Sequence, residues 1–462
     1  MIEFIVFSLS FLLLIAYKTL GKNLSRPSIL YIGGFLICSI VAYNWKKEWG
    51  LEKMEDGTVF MIVGGALLFY LVELYDYNKN SMSFQRKQVI EFAPIKIRPI
   101  KLFLFWCFQL LSFYMMAKFS MEYAETEDLS NALAEMDHDK KFYNTVVKLP
   151  SYVSNSYGLC RNAGYIWCIL LPYYQFKSSQ YNKQKILIAL NLITCLGGVL
   201  LTGGRMGLLN YFISYFCFFY ICYQFKIRWK GGLLPPKIMA VILSLGIIFG
   251  AFFKQIGYAV GREENKNTMS MVFSIYCGAQ IKNLDEYIRR PFKQHNTSDL
   301  FAQYTISKVY NEIAQRQGSD QSRHFSAELP FNTYGGYLLG NVYTTYYNYH
   351  VDFGYWGILC AGAMSLILSI LYRKMLKSQF WRTGRLDLWI ITYSWILSTA
   401  FLCFFANLFW GDIAIISVVK SLIMWWFMIF YLQGWRMSTR NNDIVPHNQD
   451  DTSVENVNPN EV

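Results

Sequence analysis

Long apolar runs alternate with short polar stretches along almost the whole chain. Most runs contain close to the roughly 20 residues that a helix needs to cross a bilayer. Because backbone polar groups in lipid must be hydrogen-bonded within their own segment, each run is predicted to be a helix. The pattern predicts about eleven spans, at 2–20, 27–45, 57–76, 101–120, 157–176, 185–203, 206–225, 236–254, 353–373, 387–409 and 412–433.

The spans divide the chain into four parts. Residues 1–254 form an N-terminal bundle of about eight spans with an acidic connection at 121–156, and residues 353–433 form a C-terminal bundle of three. Between them, the large polar segment 255–352 contains "CGAQIKNLDEYIRRPF" and "QYTISKVYNEIAQRQ", which have the spacing of short amphipathic helices. The polar tail 434–462 has a composition typical of disorder. We therefore expect an all-α polytopic membrane protein.

Composition and charge support this fold class and predict an orientation. Charged residues make up 16% of the chain, against about 25% in soluble proteins. More than half of the 43 basic residues lie in alternate connections or just after the last span, which the positive-inside rule places in the cytoplasm. The N-terminus and residues 121–156 and 255–352 are then outside, and the C-terminus is inside. A nucleic-acid partner is disfavoured, because the cations are divided among connections rather than gathered on one domain.

Several arginines on the predicted outer side are not explained by topology. Arg205 stands in "LTGGRMG", a glycine-rich turn between two spans, and others lie at span ends or in the large segment: Arg161, Arg289, Arg290 and Arg323. The planar guanidinium matches phosphate oxygens in two-pronged hydrogen bonds. The group therefore indicates a lipid-linked phosphate or pyrophosphate. For each residue alone, snorkelling at the interface or a surface ion pair is the alternative.

Lys420 lies within the last predicted span, roughly 12 Å from its start at 1.5 Å per residue. A charge at such a depth usually faces the interior of a bundle. Asp352, Asn407 and Asp412 are its candidate partners, and either a structural ion pair or a substrate contact fits this position.

Motifs of nucleotide hydrolysis and of zinc or serine hydrolase chemistry are absent from the sequence: there is no Walker lysine loop, H-E-x-x-H or G-x-S-x-G. The triplet Asp137-His138-Asp139 is a poor cation site, because adjacent residues do not share a helix face. Neither a metal nor a cofactor is expected. Secondary transport would call for ionisable residues along the spans and for internal symmetry, and neither is evident.

Two stretches resemble a known family. "LTGGRMGLLNYF" at 201–212 and "GNVYTTYYNYHVDFGYWGILCAG" at 340–362 resemble the bacterial oligosaccharide repeat-unit polymerases, the Wzy-type enzymes of O-antigen and capsule assembly. The layout, with many spans and a large outer loop late in the chain, is similar too. O-antigen ligases share the arginine-containing turn, so a ligase is one alternative. A lipid-linked oligosaccharide flippase or another transporter is the other.

The resemblance implies a GT-C-like, metal-independent glycosyltransferase in the bacterial cytoplasmic membrane. Its donor would be a growing glycan on undecaprenyl pyrophosphate, and its acceptor a single lipid-linked repeat unit. Undecaprenyl pyrophosphate would be the leaving group, and the anomeric configuration would invert. A flippase and a chain-length regulator of the same pathway would be its protein partners.

The residues divide into roles under this hypothesis. Arg205, helped by the other outer arginines, would hold the pyrophosphate. The general base would be one of three residues, namely His324, Asp352 and Glu328. Further substrate contacts would come from Asn341, Tyr343, Thr344 and Lys420. The tyrosine-rich run 343–349 would either stack on sugars or form an aromatic belt at the membrane interface.

Overall fold

The computed structural model describes most of the predicted spans. The described residues are 1–80, 95, 97–142, 149–176, 181–202, 206–227, 229, 233–236, 238–240, 244, 255, 257, 269–292, 300–317, 329–412 and 415–434. In this part of the chain, helices dominate and the β-structure is a single two-stranded hairpin. The expectation of an all-α fold is confirmed.

Ten helices coincide with predicted spans: α1 (Ile2–Thr19), α2 (Pro27–Asn44), α3 (Asp56–Asn80), α4 (Pro99–Tyr123), α6 (Ser151–Gln175), α7 (Asn182–Val199), α8 (Met206–Lys226), α13 (Ile358–Leu376), α15 (Leu388–Phe401) and α17 (Ile415–Gln433). Among the described residues, eight helical stretches are long and apolar enough to cross a membrane. The helices α6 and α15 are not among the eight. The predicted span 236–254 lies almost entirely outside the described residues, so the count of eleven stays a prediction.

Shorter helices fill the connections: α5 (Leu129–Phe142), α9 (Met269–Cys277), α10 (Ala279–Arg289), α11 (Ser307–Arg316), α12 (Thr345–Phe353), α14 (Phe380–Thr383) and α16 (Leu408–Asp412). The predicted start of a span at 353 is wrong, because Gly354 takes a positive φ of 56° and separates α12 from α13. The predicted span 387–409 is also too long: α15 ends at Phe401 and a 3-10 turn follows it.

The long helices run between two distinct ends of the bundle. At one end, Lys46 pairs with Glu3 at 2.8 Å and the carboxylate of Glu312 accepts the backbone N–H of Ile416 at 3.0 Å. We call this the hairpin end, since it carries the β-hairpin. At the other end, Asn23 Nδ2 donates to the Tyr372 hydroxyl at 2.5 Å. We call this the basic end, because it carries the connections predicted to be cytoplasmic.

The basic end contains a buried ion pair between the start of α2 and the middle of α3. Arg26 Nη1 lies 3.8 Å from Glu73 Oε1, and the two side chains are 7% and 1% exposed. The second carboxylate oxygen of Glu73 accepts the backbone N–H of Ser28 at 2.6 Å. The guanidinium also lies 4.5 Å from the ring centroid of Tyr77 and 4.8 Å from that of Tyr372. Opposite charge and aromatic faces together compensate the buried cation.

Helix α3 contains a π-helical turn at Phe60–Gly64, and regular α-helix resumes at Gly65. The hydroxyl of Tyr346, on α12, sits against Gly65 so closely that a Cβ there would lie 1.9 Å from it. The same hydroxyl accepts a hydrogen bond of 2.6 Å from Tyr31 on α2. The missing side chain at Gly65 thus allows α12 to dock between α2 and α3.

The described parts of the large segment pack onto the hairpin end of the bundle. Both predicted helices in it are present, as α10 and α11. The hairpin was not predicted: strands β1 (Asn332–Tyr334) and β2 (Tyr337–Gly340) pair antiparallel through a two-residue turn. Gly335 and Gly336 have φ of 56° and 83°, as a type I′ turn requires.

Helix α10 is buried along most of its length, although its sequence is polar. The side chain of Lys282 is fully buried; its ammonium pairs with Glu286 at 2.8 Å and lies 3.9 Å from the ring centroid of Tyr334. Asn283 donates to the Val342 carbonyl at 2.7 Å. The burial of this polar helix is possible because its buried polar side chains have partners.

The acidic connection 121–156 likewise holds a helix that packs on the bundle. On α5, Ala132, Leu133 and Met136 are buried, and Met136 belongs to one apolar cluster with Met116 of α4. Asn131, Glu135 and His138 are exposed around this stripe.

Candidate functional site

Four of the predicted site residues lie outside the described residues. They are Arg205, Arg323, His324 and Glu328. The flanks of the turn that contains Arg205 are described: a 3-10 turn ends at Thr202, and α8 begins at Met206.

Arg161 lies on α6, close to the described end of α7 and the described start of α8. Its side chain is exposed and its guanidinium carbon is 5.8 Å from the ring centroid of Tyr157. The Tyr157 hydroxyl donates to the carbonyl of Gly198 near the end of α7, at 3.0 Å. Tyr211, near the start of α8, donates to the backbone carbonyl of Arg161 at 2.6 Å. Two tyrosines thus fix this part of α6 against both helices that flank residues 203–205.

Lys420 does not face the interior of the bundle. Its side chain is exposed on α17, and the described part of the chain places no carboxylate against it. Asp352 and Asn407 are engaged elsewhere, and the side chain of Asp412 lies outside the described residues. The expectation of an inward-facing lysine paired with Asp352 or Asn407 is wrong.

The exposed position of Lys420 is still close to α6 along the bundle. Met424 follows it by one turn, so the two side chains share a flank of α17. The sulfur of Met424 accepts a hydrogen bond of 3.5 Å from Asn162, and the indole of Trp425 donates to the Asn162 carbonyl at 3.0 Å. Arg161 and Lys420 therefore lie on neighbouring helices, in the same half of the bundle.

Arg289 lies on a different part of the hairpin end and is held by acidic groups. Its guanidinium contacts Glu55 at 2.9 Å, Asp285 at 3.3 Å and Glu286 at 3.6 Å, and it donates to the carbonyl of Lys53 at 2.6 Å. The hydrogen bond with Glu55 raises the pKa of the guanidinium. An arginine surrounded by three carboxylates is a weak ligand for another anion. Its predicted contact with a pyrophosphate stays a prediction, and this geometry disfavours it.

Asp285 joins α10 to the start of α3. Its Oδ1 accepts the backbone N–H of Glu55 at 2.8 Å and the hydroxyl of Thr58 at 3.0 Å. Burial raises the pKa of the Asp285 carboxyl, and these hydrogen bonds and Arg289 act in the opposite direction. Arg290, the next residue after Arg289, is exposed at the end of α10.

The first part of the 340–362 stretch is largely buried, whereas Tyr355, Trp356 and Leu359 in its second part are exposed. Tyr343 is 4% exposed, and its hydroxyl donates to the carbonyl of Pro330 at 3.1 Å. Thr344 is fully buried at the N-terminus of α12, and its hydroxyl has no hydrogen-bond partner among the described residues. Asn341 is half-buried just after the hairpin.

The tyrosine run is part of the core. Tyr346, Tyr347 and Tyr349 are fully buried, and the ring of Tyr343 lies 4.5 Å from that of Tyr347. The two expectations for this run, sugar stacking and an exposed aromatic belt, both require accessible rings. The structure supports neither, because α12 presents its tyrosines to α2, α3 and α10.

Asp352 holds part of the large segment in place. Its two carboxylate oxygens accept the backbone N–H groups of Tyr304 and Thr305, at 3.1 and 2.6 Å. Asn348 donates to the Tyr304 carbonyl at 3.1 Å, and Asn407 donates to the Thr305 carbonyl at 2.8 Å. A carboxylate engaged by two N–H groups is well placed to position the 300–306 turn. As a proton acceptor it would first have to release them.

His350, which was not among the predicted site residues, lies two residues before Asp352 on α12. His350 is half-buried on α12, its ring lies 5.1 Å from that of Tyr355, and its Nδ1 has no hydrogen-bond partner within the described part of the chain. Its location inside the 340–362 stretch was the available signal, since the chain has only 5 histidines. It is the described histidine nearest in sequence to Asp352.

Among the described residues, no group of three or more His, Cys, Asp or Glu side chains is arranged to hold a metal ion. The described part of the hairpin end thus offers exposed cations and one half-buried imidazole. This arrangement can bind an anion at a membrane surface. No protein-family model, no curated protein and no solved structure matches this chain.

Proposed function

We propose that this protein polymerises lipid-pyrophosphate-linked oligosaccharide repeat units at the hairpin end of its helix bundle. The observation that carries the proposal is the exposed Arg161, whose part of α6 is hydrogen-bonded to α7 and α8, the two helices that flank Arg205 in the sequence. An anion between two arginines in a partly dehydrated site is bound more strongly than in bulk water. The resemblance of residues 201–212 and 340–362 to the Wzy-type polymerases supplies the substrate class.

The reaction is a glycosyl transfer with inversion. A hydroxyl of the acceptor repeat unit attacks the anomeric carbon of the donor glycan, while the bond from that carbon to the pyrophosphate oxygen breaks. The electron pair of this bond leaves with undecaprenyl pyrophosphate, and the acceptor proton passes to a base. Each well-placed cation at the leaving group is worth roughly 3–4 kcal/mol in the transition state.

The general base is worth about 10²–10⁴-fold in rate. His324 and Glu328 remain candidates from the sequence. Asp352 is better suited to positioning the 300–306 turn, because both of its oxygens accept backbone N–H groups. His350 joins the candidates, because its Nδ1 is unpaired and half-buried on α12.

The test uses a strain that lacks this chain, complemented with variants, and reads the glycan ladder on a gel. We expect Arg205→Ala to give only single repeat units, and Arg205→Lys to be badly impaired because it loses the planar fork. Arg161→Gln should shorten the ladder. Lys118→Gln, an exposed cation near the same end, serves as the control and should leave the ladder unchanged. Membrane levels of every variant are measured in parallel.

A normal ladder from both Arg205→Ala and Arg161→Gln would refute the pyrophosphate site. The strain that lacks this chain distinguishes the polymerase from the alternative functions. Accumulation of single lipid-linked units supports the polymerase, whereas accumulation of full-length lipid-linked polymer supports an O-antigen ligase. Repeat units trapped on the inner leaflet would support a flippase.

Purified protein should also remain active in EDTA. Activity that is lost in EDTA and restored only by magnesium or manganese would contradict a metal-independent mechanism.

A further inference from the structure

We propose that a cationic pocket at the basic end binds the phosphate headgroup of an anionic phospholipid. The pocket has a volume of about 490 Å³ and lies between the end of α13 and the start of α15. Its lining includes Lys374, Lys377, Gln379, Arg385, Asp387 and Trp389. This site is separate from the hairpin end and does not depend on the proposed function.

The pocket is held in shape by hydrogen bonds of its own wall. Asp387 caps α15 by accepting the N–H of Ile390 at 3.0 Å, and its other oxygen is hydrogen-bonded to the hydroxyl of Ser378. The side chain of Gln433, at the end of α17, accepts the N–H of Leu386 at 3.0 Å and donates to the carbonyl of Gly384 at 2.8 Å. Three helices therefore fix the loop that closes the pocket.

The charge of the lining favours an anion. The described lining contains three cationic side chains and one carboxylate, so its net charge is positive. The ammonium of Lys374 lies 3.6 Å from the ring centroid of Trp389, which orients it along the pocket wall. A phosphate diester entering here would meet lysine and arginine donors together with the polar side chain of Gln379.

The position of the pocket, at the ends of apolar helices, favours a lipid over a soluble anion. Helix α13 ends and α15 begins at the pocket, and both are apolar helices of the bundle. The indole of Trp389 is 45% exposed on the first turn of α15, the usual place of a tryptophan at the level of the headgroups. A lipid whose phosphate occupies the pocket could lay its acyl chains on the adjacent apolar helix surface. Basic pockets at this level of helix bundles suit anionic headgroups.

The experiment uses the full chain in nanodiscs of phosphatidylcholine, with and without phosphatidylglycerol. Lipid retention is measured by native mass spectrometry, and stability by thermal unfolding. We expect the wild type to retain phosphatidylglycerol in preference to phosphatidylcholine and to unfold at a higher temperature with it. A triple variant, Lys374→Gln, Lys377→Gln and Arg385→Gln, should weaken this retention roughly 10- to 100-fold.

A matched control removes three exposed cations from the same end of the bundle, outside the pocket: Lys18→Gln, Lys79→Gln and Lys183→Gln. This control should keep the preference for phosphatidylglycerol. An equal loss of phosphatidylglycerol retention in both triple variants would show that only the net charge matters and would overturn the proposal. The single variant Lys377→Gln gives the same comparison, with a smaller loss, if the triple variant does not fold.

Two results with the wild type alone would also overturn the proposal. One is equal retention of the two lipids. The other is equal stabilisation by inorganic phosphate in nanodiscs of pure phosphatidylcholine, which would make the pocket a site for a soluble anion.

Discussion

The buried pair of Arg26 and Glu73 allows a quantitative test of how the basic end is held together. At 3.8 Å and an effective dielectric constant of about 20, their attraction is about 4 kcal/mol. In Glu73→Gln the carboxamide oxygen can still accept the N–H of Ser28, so the main loss is the charge. The aromatic faces of Tyr77 and Tyr372 still contact the guanidinium and offset part of that loss. We expect Glu73→Gln to lower the free energy of unfolding by about 3 kcal/mol.

Arg26→Gln should have a cost of the same size, because it leaves the Glu73 carboxylate buried alone. The double variant contains neither charge, so its cost should be smaller than the sum of the single costs, by about 2–3 kcal/mol. Reversible unfolding in mixed micelles of increasing sodium dodecyl sulfate measures all three. Asp76→Asn, which breaks the more exposed pair with Arg373, is the control and should cost about 1 kcal/mol or less. Strict additivity of the two single costs would refute a coupled buried pair.

Three further predictions concern the large segment and the topology. Asp352→Asn should leave one N–H of the 300–306 turn without an acceptor and lower the free energy of unfolding by about 1–3 kcal/mol. It should also speed amide hydrogen exchange in residues 300–317. Unchanged exchange would show that Asp352 does not anchor this segment. The folded-state pKa of Asp285 is raised, so its stabilising contribution is full below about pH 3.9 and is lost as the pH rises through the folded-state pKa. The stability of the wild type relative to Asp285→Asn should therefore fall as the pH rises above about 4, as measured by unfolding at each pH, and a difference that does not change with pH would contradict this. An alkaline phosphatase fused after Arg440 should be inactive, and activity there would reverse the predicted orientation.

The long helices were predictable because a bilayer fixes their length and their backbone must be satisfied internally. Their ends were less accurate. The break at Gly354 depends on one positive φ between two apolar helices, and an apolar pattern continues through it. The hairpin had a readable signal in its Gly-Gly pair, but its strands are too short to produce a periodic pattern.

The partners of charged residues were not predictable, because they come from distant parts of the chain. Arg26 reads as one more basic residue of a connection, and its burial depends on Glu73. Lys282 and Asp285 give α10 a polar sequence, and the groups that allow their burial include the ring of Tyr334 and the hydroxyl of Thr58. In the candidate site, the sequence indicated the importance of the 340–362 stretch, but not that its tyrosines are core residues.

The π-helical turn of α3 sets the rotational phase between two anchored halves of one helix. Before the turn, Thr58 is fixed to Asp285 at the hairpin end; after it, Glu73 is fixed to Arg26 at the basic end. A π turn closes i→i+5 hydrogen bonds and so takes up one residue more than a turn of α-helix. In a regular α-helix that extra residue would rotate one half relative to the other by about 100°, since an α-helix has 3.6 residues per turn. The π turn absorbs this rotation, so that Thr58 and Glu73 can both reach their partners; with Phe60–Gly64 in regular α-helical geometry and the same number of residues, only one of the two anchors could form.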